Sequence, residues 1–234
     1  MNVRRGHSIR ALTLDLDDTL WPVWPAIVRA EQEVEAWLAK HAPATAARFD
    51  SRALRALREQ VAAEQPAWAH DFTRMRRESL ARALALAGDD PALAEPAFDV
   101  FYAARNRVEL FDDAAPALRA LAARWPIVAL TNGNADLRRI GIAAHFTATV
   151  TARDFGVGKP DARIFHEACR LLATPPEQVM HIGDDWALDV VGAHRAGLRS
   201  AWVCRDSAKA APPDGSARAD CVVRDLGELV DWLG

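Results

Sequence analysis

The sequence predicts an α/β fold, a doubly wound parallel sheet into which an all-helical domain is inserted. From residue 108 onward short apolar segments alternate with helical segments, which is the pattern of a parallel sheet flanked by helices. One further strand-like segment stands alone near the start, and the residues between carry only helical spacing. We therefore predict a Rossmann-like core domain from residues 1–21 and 108–234 and a helical domain from residues 22–107.

The predicted helical domain contains three long segments rich in Ala, Leu, Arg and Glu. Their apolar residues recur at the three- and four-residue spacing of amphipathic helices. These segments are residues 27–40, 51–65 and 72–88. We expect the whole insertion to consist of helices and turns.

The predicted core domain begins with the strand IRALTLDL, residues 9–16, which ends on an acidic turn. After the insertion, the predicted helices cover residues 115–125, 135–143, 161–173 and 189–197. The predicted strands that alternate with them cover residues 126–133, 148–152, 178–184, 199–204 and 220–223. Residues 211–220 have the Pro, Gly and Ser content of a surface loop.

Composition and charge exclude several classes of protein. The 234 residues are 50% hydrophobic and 26% charged with a formal net charge of −3, which indicates a soluble protein without a bias toward nucleic acid. No segment reaches the ~20 apolar residues of a membrane helix, and the first ten residues lack a signal-peptide pattern. Cys169, Cys204 and Cys221 show no metal-binding spacing and are expected to be reduced core thiols. We expect a cytoplasmic protein, a monomer by default with a dimer as the alternative.

Polar side chains follow several of the predicted strands of the core domain. Ligands of open parallel sheets bind at the carboxyl ends of the strands, where the strand order reverses. We therefore expect the side chains at these positions to meet at one edge of the sheet. They are Asp15, Asp17, Thr131, Asn132, Lys159 and Asp184.

The acidic residues of this group predict a divalent cation. Two carboxylates about 4 Å apart repel by roughly 4 kcal/mol at an effective dielectric constant near 20. Clustering of Asp15, Asp17 and Asp184 would therefore destabilise the fold unless positive charge balanced it. Mg²⁺ binds one or two carboxylates, waters and a substrate phosphate. Lys159 supplies further positive charge.

The same residues match the needs of phosphoryl transfer. Asp15 is placed to attack phosphorus as a nucleophile, and Asp17 to protonate the leaving oxygen and later activate water. The Thr131 hydroxyl, Lys159 and N–H groups around Asn132 would hold the non-bridging oxygens. The expected partner is a small phosphomonoester.

The segments DLDDT, TNG, GKP and GDDWALD, in this order, resemble the four signature motifs of haloacid dehalogenase superfamily hydrolases. The helical insertion after the first motif resembles the first cap class of that superfamily. The resemblance implies Asp15 as nucleophile and Mg²⁺ ligand, Asp17 as acid/base with its backbone carbonyl on the metal, and Asp184 as a direct ligand. It also implies Thr131 and Lys159 as phosphate binders. Whether residue 185 or residue 189, both Asp, supports the metal through water is left open.

Longer segments have a closer resemblance. LDLDDTLW, AEQPAWAHDFTRMRRESL, WPIVALTNGNA and HIGDDWALDVVGAHRAG resemble bacterial phosphatases that act on 5-amino-6-(5-phospho-D-ribitylamino)uracil, a riboflavin precursor, and on FMN. The alternatives are a phosphatase of other sugar or nucleotide phosphates, a phosphomutase, a 2-haloacid dehalogenase and a non-catalytic binding protein. A dehalogenase needs neither Mg²⁺ nor an acid two residues after the nucleophile, so Asp17 favours phosphate chemistry.

Several other residues have two interpretations each. GVGKP is not a P-loop, because Pro160 replaces the hydroxyl residue. His181 lies within a predicted strand, where a structural role is favoured over a metal role. Arg74 begins a basic helical run that is either a solvated face or a substrate contact, and we retain it as a substrate-binding candidate. Trp21 and Trp24 are expected either to pack in a core or to stack on a planar substrate.

Overall fold

The computed structural model describes residues 9–206 and 218–234. They form two compact units. The sheet unit comprises the described residues up to Pro22, Glu109–Gly133, and the described residues from Gly141 to Gly234. The helical unit comprises Val23–Val108 and Asn134–Ile140. Most of the loop expected at residues 211–220 lies outside the described residues.

The sheet unit contains a six-stranded parallel sheet in the order β3-β2-β1-β4-β5-β6. The order reverses between β1 and β4, so the doubly wound fold class is confirmed. All residues of β1, β2 and β4 are buried, as expected for a parallel sheet covered on both faces. The strands are β1 Ala11–Leu14, β2 Ile127–Thr131, β3 Ala148–Thr151, β4 Val179–Gly183, β5 Arg199–Val203 and β6 Cys221–Val223.

The described residues contain eleven α-helices. They are α1 Val23–His41, α2 Pro43–Arg48, α3 Ser51–Glu64, α4 Phe72–Ala87, α5 Ala94–Arg105, α6 Ala114–Ala122, α7 Leu137–Ile140, α8 Ala152–Phe155, α9 Ala162–Leu171, α10 Gly192–Arg195 and α11 Leu226–Leu233. Short 3₁₀ turns occupy Pro66–Trp68, Pro91–Leu93, Ala143–His145 and Pro176–Gln178. A π-helix, Trp186–Val191, runs directly into α10.

Two helices expected after the insertion differ from the prediction, and two, α8 and α11, were missed. The helix predicted at 135–143 is confined to α7, because Gly141 adopts a φ of 88° that no helix accommodates. The helix predicted at 189–197 begins earlier, as the π-helix. The sequence analysis did not identify α11, although the Asp225 carboxylate caps it by accepting the Glu228 N–H at 2.8 Å.

Polar contacts explain why Asn134–Ile140 groups with the helical unit. The Asn134 side chain accepts a hydrogen bond from Arg105 at 3.1 Å and donates one to the Thr73 hydroxyl at 3.3 Å. The Asn106 side chain accepts the Asp136 N–H at 2.7 Å. These bonds attach the short segment to α4 and to the end of α5.

Each unit has its own buried apolar core. In the helical unit, side chains of α1, α4 and α5 form a cluster that includes Leu38, Leu84 and Phe101. In the sheet unit, Phe165 of α9 packs with Val128 and other strand residues. The three cysteines are free and buried, as expected. Among the described residues, we find no helix with both the length and the apolar character needed to span a membrane.

Candidate active site

The loop after β1 holds the first acidic motif. The Asp15 side chain is buried, and its backbone N–H donates to the Ile182 carbonyl of β4 at 2.9 Å. Two residues on, the half-buried Asp17 accepts the indole N–H of the buried Trp21 at 2.9 Å. Asp18 has a φ of 59°, a left-handed conformation that lets the chain turn sharply after the two acids.

Thr19 completes this loop and connects two acids. Its buried hydroxyl lies 3.3 Å from Asp15 Oδ2 and 3.2 Å from Asp184 Oδ1. Thr19 was not among the predicted site residues. The available signal was its place as the last residue of DLDDT, four residues after Asp15, where one loop turn brings its side chain back toward the acid.

Lys159 lies between two carboxylates. Its side chain is 2% exposed, and Nζ is 2.5 Å from Asp15 Oδ1 and 2.6 Å from Asp189 Oδ1. Burial alone would lower the pKa of Lys159, but the carboxylates of Asp15 and Asp189 outweigh it and hold that pKa above its ordinary value. The amine is therefore a permanent positive charge in the site.

Asn132 holds the backbone of the lysine loop. Its Nδ2 donates to the Lys159 carbonyl at 2.9 Å, and its Oδ1 accepts the Lys159 N–H at 2.7 Å. A Cβ on Gly158 would lie 2.6 Å from Asn132 Oδ1, so this close approach requires glycine. At the end of β2 the buried Thr131 accepts the Gly133 N–H at 2.9 Å. Direct contacts of Asn132 and Thr131 with a substrate stay predictions.

The described residues contain a cluster of three acids. One oxygen each of Asp15, Asp184 and Asp189 lie within 4.8 Å of one another. Asp189, not Asp185, belongs to this cluster. The Asp185 carboxylate instead caps the π-helix, accepting the N–H groups of Ala187 and Leu188 at 2.8 Å each.

The acids of the cluster ionise unequally. Burial raises the pKa of Asp15 well above its ordinary value, despite the opposing effect of Lys159. Burial, together with the charges of Asp189 and Asp18, raises the pKa of Asp184 to about 7. Burial also opposes ionisation of Asp189, but Lys159 and His181 outweigh it and hold the pKa of Asp189 low. Three carboxylates against one amine leave excess negative charge, which fits a divalent cation.

His181 is fully buried in β4 and contacts Asp189 rather than the centre of the acid cluster. Its Nε2 is 3.0 Å from Asp189 Oδ1, and its Nδ1 is 2.9 Å from the Thr13 hydroxyl. Burial lowers the pKa of His181, so the imidazole is neutral near pH 7. It is not one of the residues of the acid cluster.

In the helical unit, Arg74 and Trp24 each take part in a cation–π contact. The Arg74 guanidinium stacks 3.9 Å from the Trp68 ring, and Arg55 lies 4.8 Å from the Trp24 ring. Trp24 is nevertheless 55% exposed. A substrate contact by Arg74 stays a prediction. Trp21, by contrast, is a fully buried residue of the sheet unit.

The family model described as haloacid dehalogenase-like hydrolase matches residues 9–197. The chain belongs to this family. The resemblance of the four sequence motifs is thereby confirmed. As a haloacid dehalogenase-like hydrolase, it carries all four motifs at the sheet edge and in the loops described above.

Two curated relatives of this haloacid dehalogenase-like hydrolase are phosphatases. The 5-amino-6-(5-phospho-D-ribitylamino)uracil phosphatase YigB of Escherichia coli strain K12 is 35% identical over 199 residues, 83% of each chain. The phosphoserine phosphatase of Thermus thermophilus is 36% identical over 169 residues, 70% of this chain and 66% of the relative.

Solved structures of similar proteins share the fold. A structure described as 2-haloacid dehalogenase from Pseudomonas syringae pv. Tomato DC3000 has a TM-score of 0.89 and 36% identity, covering 96% of this chain and 98% of that one. The HAD-hydrolase YfnB from Bacillus subtilis, described as bound to magnesium, has a TM-score of 0.68 at 20% identity, covering 97% and 99%. The second similarity concerns the fold alone.

Proposed function

We propose that this hydrolase is a Mg²⁺-dependent phosphatase that transfers the phosphoryl group of a small phosphomonoester to Asp15 and then to water. The observation that carries the proposal is the buried contact of Asp15 with Lys159 beside two further carboxylates. Three carboxylates and one ammonium leave two negative charges when all are ionised, which one divalent cation balances.

Residues that follow two neighbouring strands, β1 and β4, would hold the ion. Asp15 and Asp184 offer carboxylate oxygens, and Asp17 offers its backbone carbonyl. Because Asp189 lies in the acid cluster whereas Asp185 caps a helix, we assign to Asp189 the support of the ion through water. When bound, Mg²⁺ would neutralise charge on the phosphate oxygens and on Asp15.

The remaining chemistry belongs to side chains. Asp15 attacks phosphorus as the bond to the leaving oxygen breaks, and Asp17 gives that oxygen a proton. Asp17 then takes a proton from water, whose oxygen attacks phosphorus and releases inorganic phosphate and the Asp15 carboxylate. Lys159 and the Thr131 hydroxyl hold non-bridging oxygens.

Dehalogenation is the second candidate, favoured by the similarity to the Pseudomonas syringae protein. Displacement of a halide from carbon releases a stable anion that needs no proton. The reaction would then need neither proton exchange by Asp17 nor the excess negative charge of the acid cluster. Both features favour phosphate transfer.

The similarity to YigB supports a proposal for the substrate class. We propose a phosphate ester of a sugar or polyol attached to a planar ring, such as 5-amino-6-(5-phospho-D-ribitylamino)uracil or FMN, in the riboflavin pathway. We propose that the helical domain predicted at residues 22–107 acts as a cap that selects the substrate, with Arg74 among its contacts. We also propose that the protein acts in the cytoplasm as a monomer.

Release of inorganic phosphate tests the proposed function. With Mg²⁺ the protein should hydrolyse p-nitrophenyl phosphate, and its highest kcat/KM should fall on the pyrimidine precursor or FMN within a panel of hexose phosphates, nucleotides, phosphoserine and phosphoglycolate. Chelation with EDTA should abolish turnover, because ionised acids without the cation repel the phosphate. Halide release from 2-chloropropionate without phosphate release would contradict the proposal.

The Asp17→Asn variant separates acid/base chemistry from binding. Asn keeps the backbone carbonyl and can still receive the Trp21 indole N–H through Oδ1, but it cannot exchange a proton. We expect kcat to fall by about 10²- to 10⁴-fold, with the Mg²⁺ concentration for half-maximal activity changed little. Unchanged kcat for an ester with a poor leaving group would contradict the role of Asp17.

Stabilisation by Mg²⁺ should depend on pH. Because the pKa of Asp184 is about 7 without the ion, the carboxyl is protonated below that pH and must lose a proton to bind metal. Between about pH 8 and pH 5.5 the free energy of Mg²⁺ stabilisation should fall by roughly 2 kcal/mol, and protonation of Asp15 adds to the loss. Thermal unfolding with and without saturating Mg²⁺ at the two pH values measures this. Asp184→Asn is the control and should lose most of the shift.

A further inference from the structure

A buried row of hydrogen bonds runs from the centre of the sheet to the acid cluster. Thr13 of β1 and His181 of β4 are direct partners in the parallel register, and both are 0% exposed. The Thr13 hydroxyl lies 2.9 Å from His181 Nδ1, and His181 Nε2 lies 3.0 Å from Asp189 Oδ1. The row therefore joins two strands to the carboxylate that contacts Lys159.

The acceptor at one end sets the direction of these bonds. An ionised carboxylate only accepts, so His181 Nε2 carries a hydrogen and donates it to Asp189. In the neutral imidazole Nδ1 is then an acceptor, and the Thr13 hydroxyl donates to it. The His181 and Phe165 rings pack nearly perpendicular to each other, with a centroid distance of 5.0 Å and an interplanar angle of 88°. The His181 ring is therefore hydrogen-bonded through both nitrogens and packs against the Phe165 ring.

Asp189 is held by donors on both oxygens. Oδ1 receives His181 Nε2 and Lys159 Nζ, and Oδ2 receives the Asp185 N–H at 2.9 Å. A Cβ on Gly183 would collide with the carboxylate, so the strand backbone approaches it as closely as glycine permits. Asp189 consequently has one orientation.

Lys159 is shared between Asp189 and Asp15 at nearly equal distances, 2.6 and 2.5 Å. Without the His181 Nε2–H, Asp189 Oδ1 would accept a hydrogen bond from Lys159 Nζ alone. It would then attract the amine more strongly. The amine would then move away from Asp15. The Nε2–H of neutral His181 reduces this competition between Asp189 and Asp15 for the amine, because it bonds to Asp189 without adding charge.

We propose that His181, oriented by Thr13, is a positioning residue whose Nε2–H holds Asp189 so that Lys159 stays against Asp15. The inference rests on the proposed function, because the row of hydrogen bonds would serve to align Lys159 with Asp15, the proposed nucleophile. His181 is 0% exposed, and a buried imidazole costs free energy unless both nitrogens are bonded, as they are here.

Two matched pairs of variants test the proposal by kcat and KM on p-nitrophenyl phosphate at saturating Mg²⁺. Gln places an amide N–H near the position of His Nε2, whereas Met fills similar volume without a donor. We expect His181→Met to lower kcat about 10- to 100-fold with little change in KM, and His181→Gln to recover most of the loss. Thr13→Val should lower kcat several-fold, and Thr13→Ser should restore it.

The double variant distinguishes an effect of Thr13 that is transmitted through His181 from independent packing effects of the two residues. If Thr13 acts through His181, His181→Met with Thr13→Val should be no slower than His181→Met alone. Additive losses, or equal kcat in wild type and His181→Met, would overturn the proposal. Thermal unfolding of each variant confirms that kcat is measured on folded protein.

A measurement that does not depend on turnover distinguishes failure of this inference from failure of the proposed function. Nitrogen-15 shifts of imidazole-labelled wild-type protein, with the signal among seven histidines assigned by His181→Gln, report the tautomer. We expect the Nε2–H tautomer at neutral pH, shifted by Thr13→Val. An Nδ1–H tautomer would overturn the positioning role. Absence of phosphatase activity in wild type with the Nε2–H tautomer present would instead contradict the proposed function.

Discussion

Replacing Asp15 by Asn is expected to reduce phosphomonoester turnover by at least about 10³-fold while leaving the protein folded. The amide oxygen is a poor nucleophile and cannot form the aspartyl phosphate. Stability should change little when the cation is absent. Burial raises the pKa of Asp15, so its ionised form is costly, and the neutral amide avoids that cost while giving up the contact with Lys159. Phosphate release and thermal unfolding measure the two effects.

A second acid serves as the matched control for this variant. Asp185 lies in the same motif as Asp184 and Asp189 of the acid cluster, but its carboxylate caps the π-helix. Asn caps helices about as well as Asp, so Asp185→Asn should keep activity within a few-fold of wild type. Trapping with beryllium fluoride should attach the analogue to Asp15 in the wild type. Attachment elsewhere, or near-normal turnover in Asp15→Asn, would contradict the assignment of the nucleophile.

Replacing Lys159 by Met is expected to affect both stability and activity. The side chain is 2% exposed and contacts two carboxylates, so its loss leaves buried negative charge without a partner. Breaking a buried ion pair in this way costs about 3–5 kcal/mol. Turnover should fall by about 10²-fold or more, because a phosphate oxygen also loses its cationic partner. Urea unfolding without Mg²⁺ and steady-state kinetics measure the two losses.

The double variant Lys159→Met with Asp189→Asn separates these effects. Removing one of the unpaired carboxylates should recover part of the free energy of unfolding, whereas activity should stay low. Added Mg²⁺ should also stabilise Lys159→Met more than wild type, because the cation then replaces the missing positive charge. An unchanged free energy of unfolding in Lys159→Met would show that the buried contacts with Asp15 and Asp189 do not persist in solution.

The sequence carried most of the information about the fold and the candidate site. Apolar alternation located the strands that form the sheet, and three of the polar residues expected at its edge, Asp15, Lys159 and Asp184, lie close together. Asp15 and Lys159 are 144 positions apart, yet their proximity at one edge of the sheet was expected, because the carboxyl ends of parallel strands share that edge.

Details that depend on side-chain direction were not predictable. The sequence left Asp185 and Asp189 as equal candidates, because both follow the same strand closely. The choice depends on the π-helix, in which Asp185 caps the first turn and the Asp189 carboxylate packs against Gly183. Asn132 likewise follows β2 as expected, but its amide is used to hold the Lys159 backbone.

Residue types and their order therefore suffice for the parallel α/β core, the family and the proximity of Asp184 to Asp15, since these depend on hydrophobic periodicity and on motif chemistry. The partners of each side chain depend on strand register and loop geometry, which bring together residues that no local pattern relates. His181 shows the difference: within the strand it looks like a core residue, and only its register opposite Thr13 and its distance to Asp189 connect it to the acid cluster.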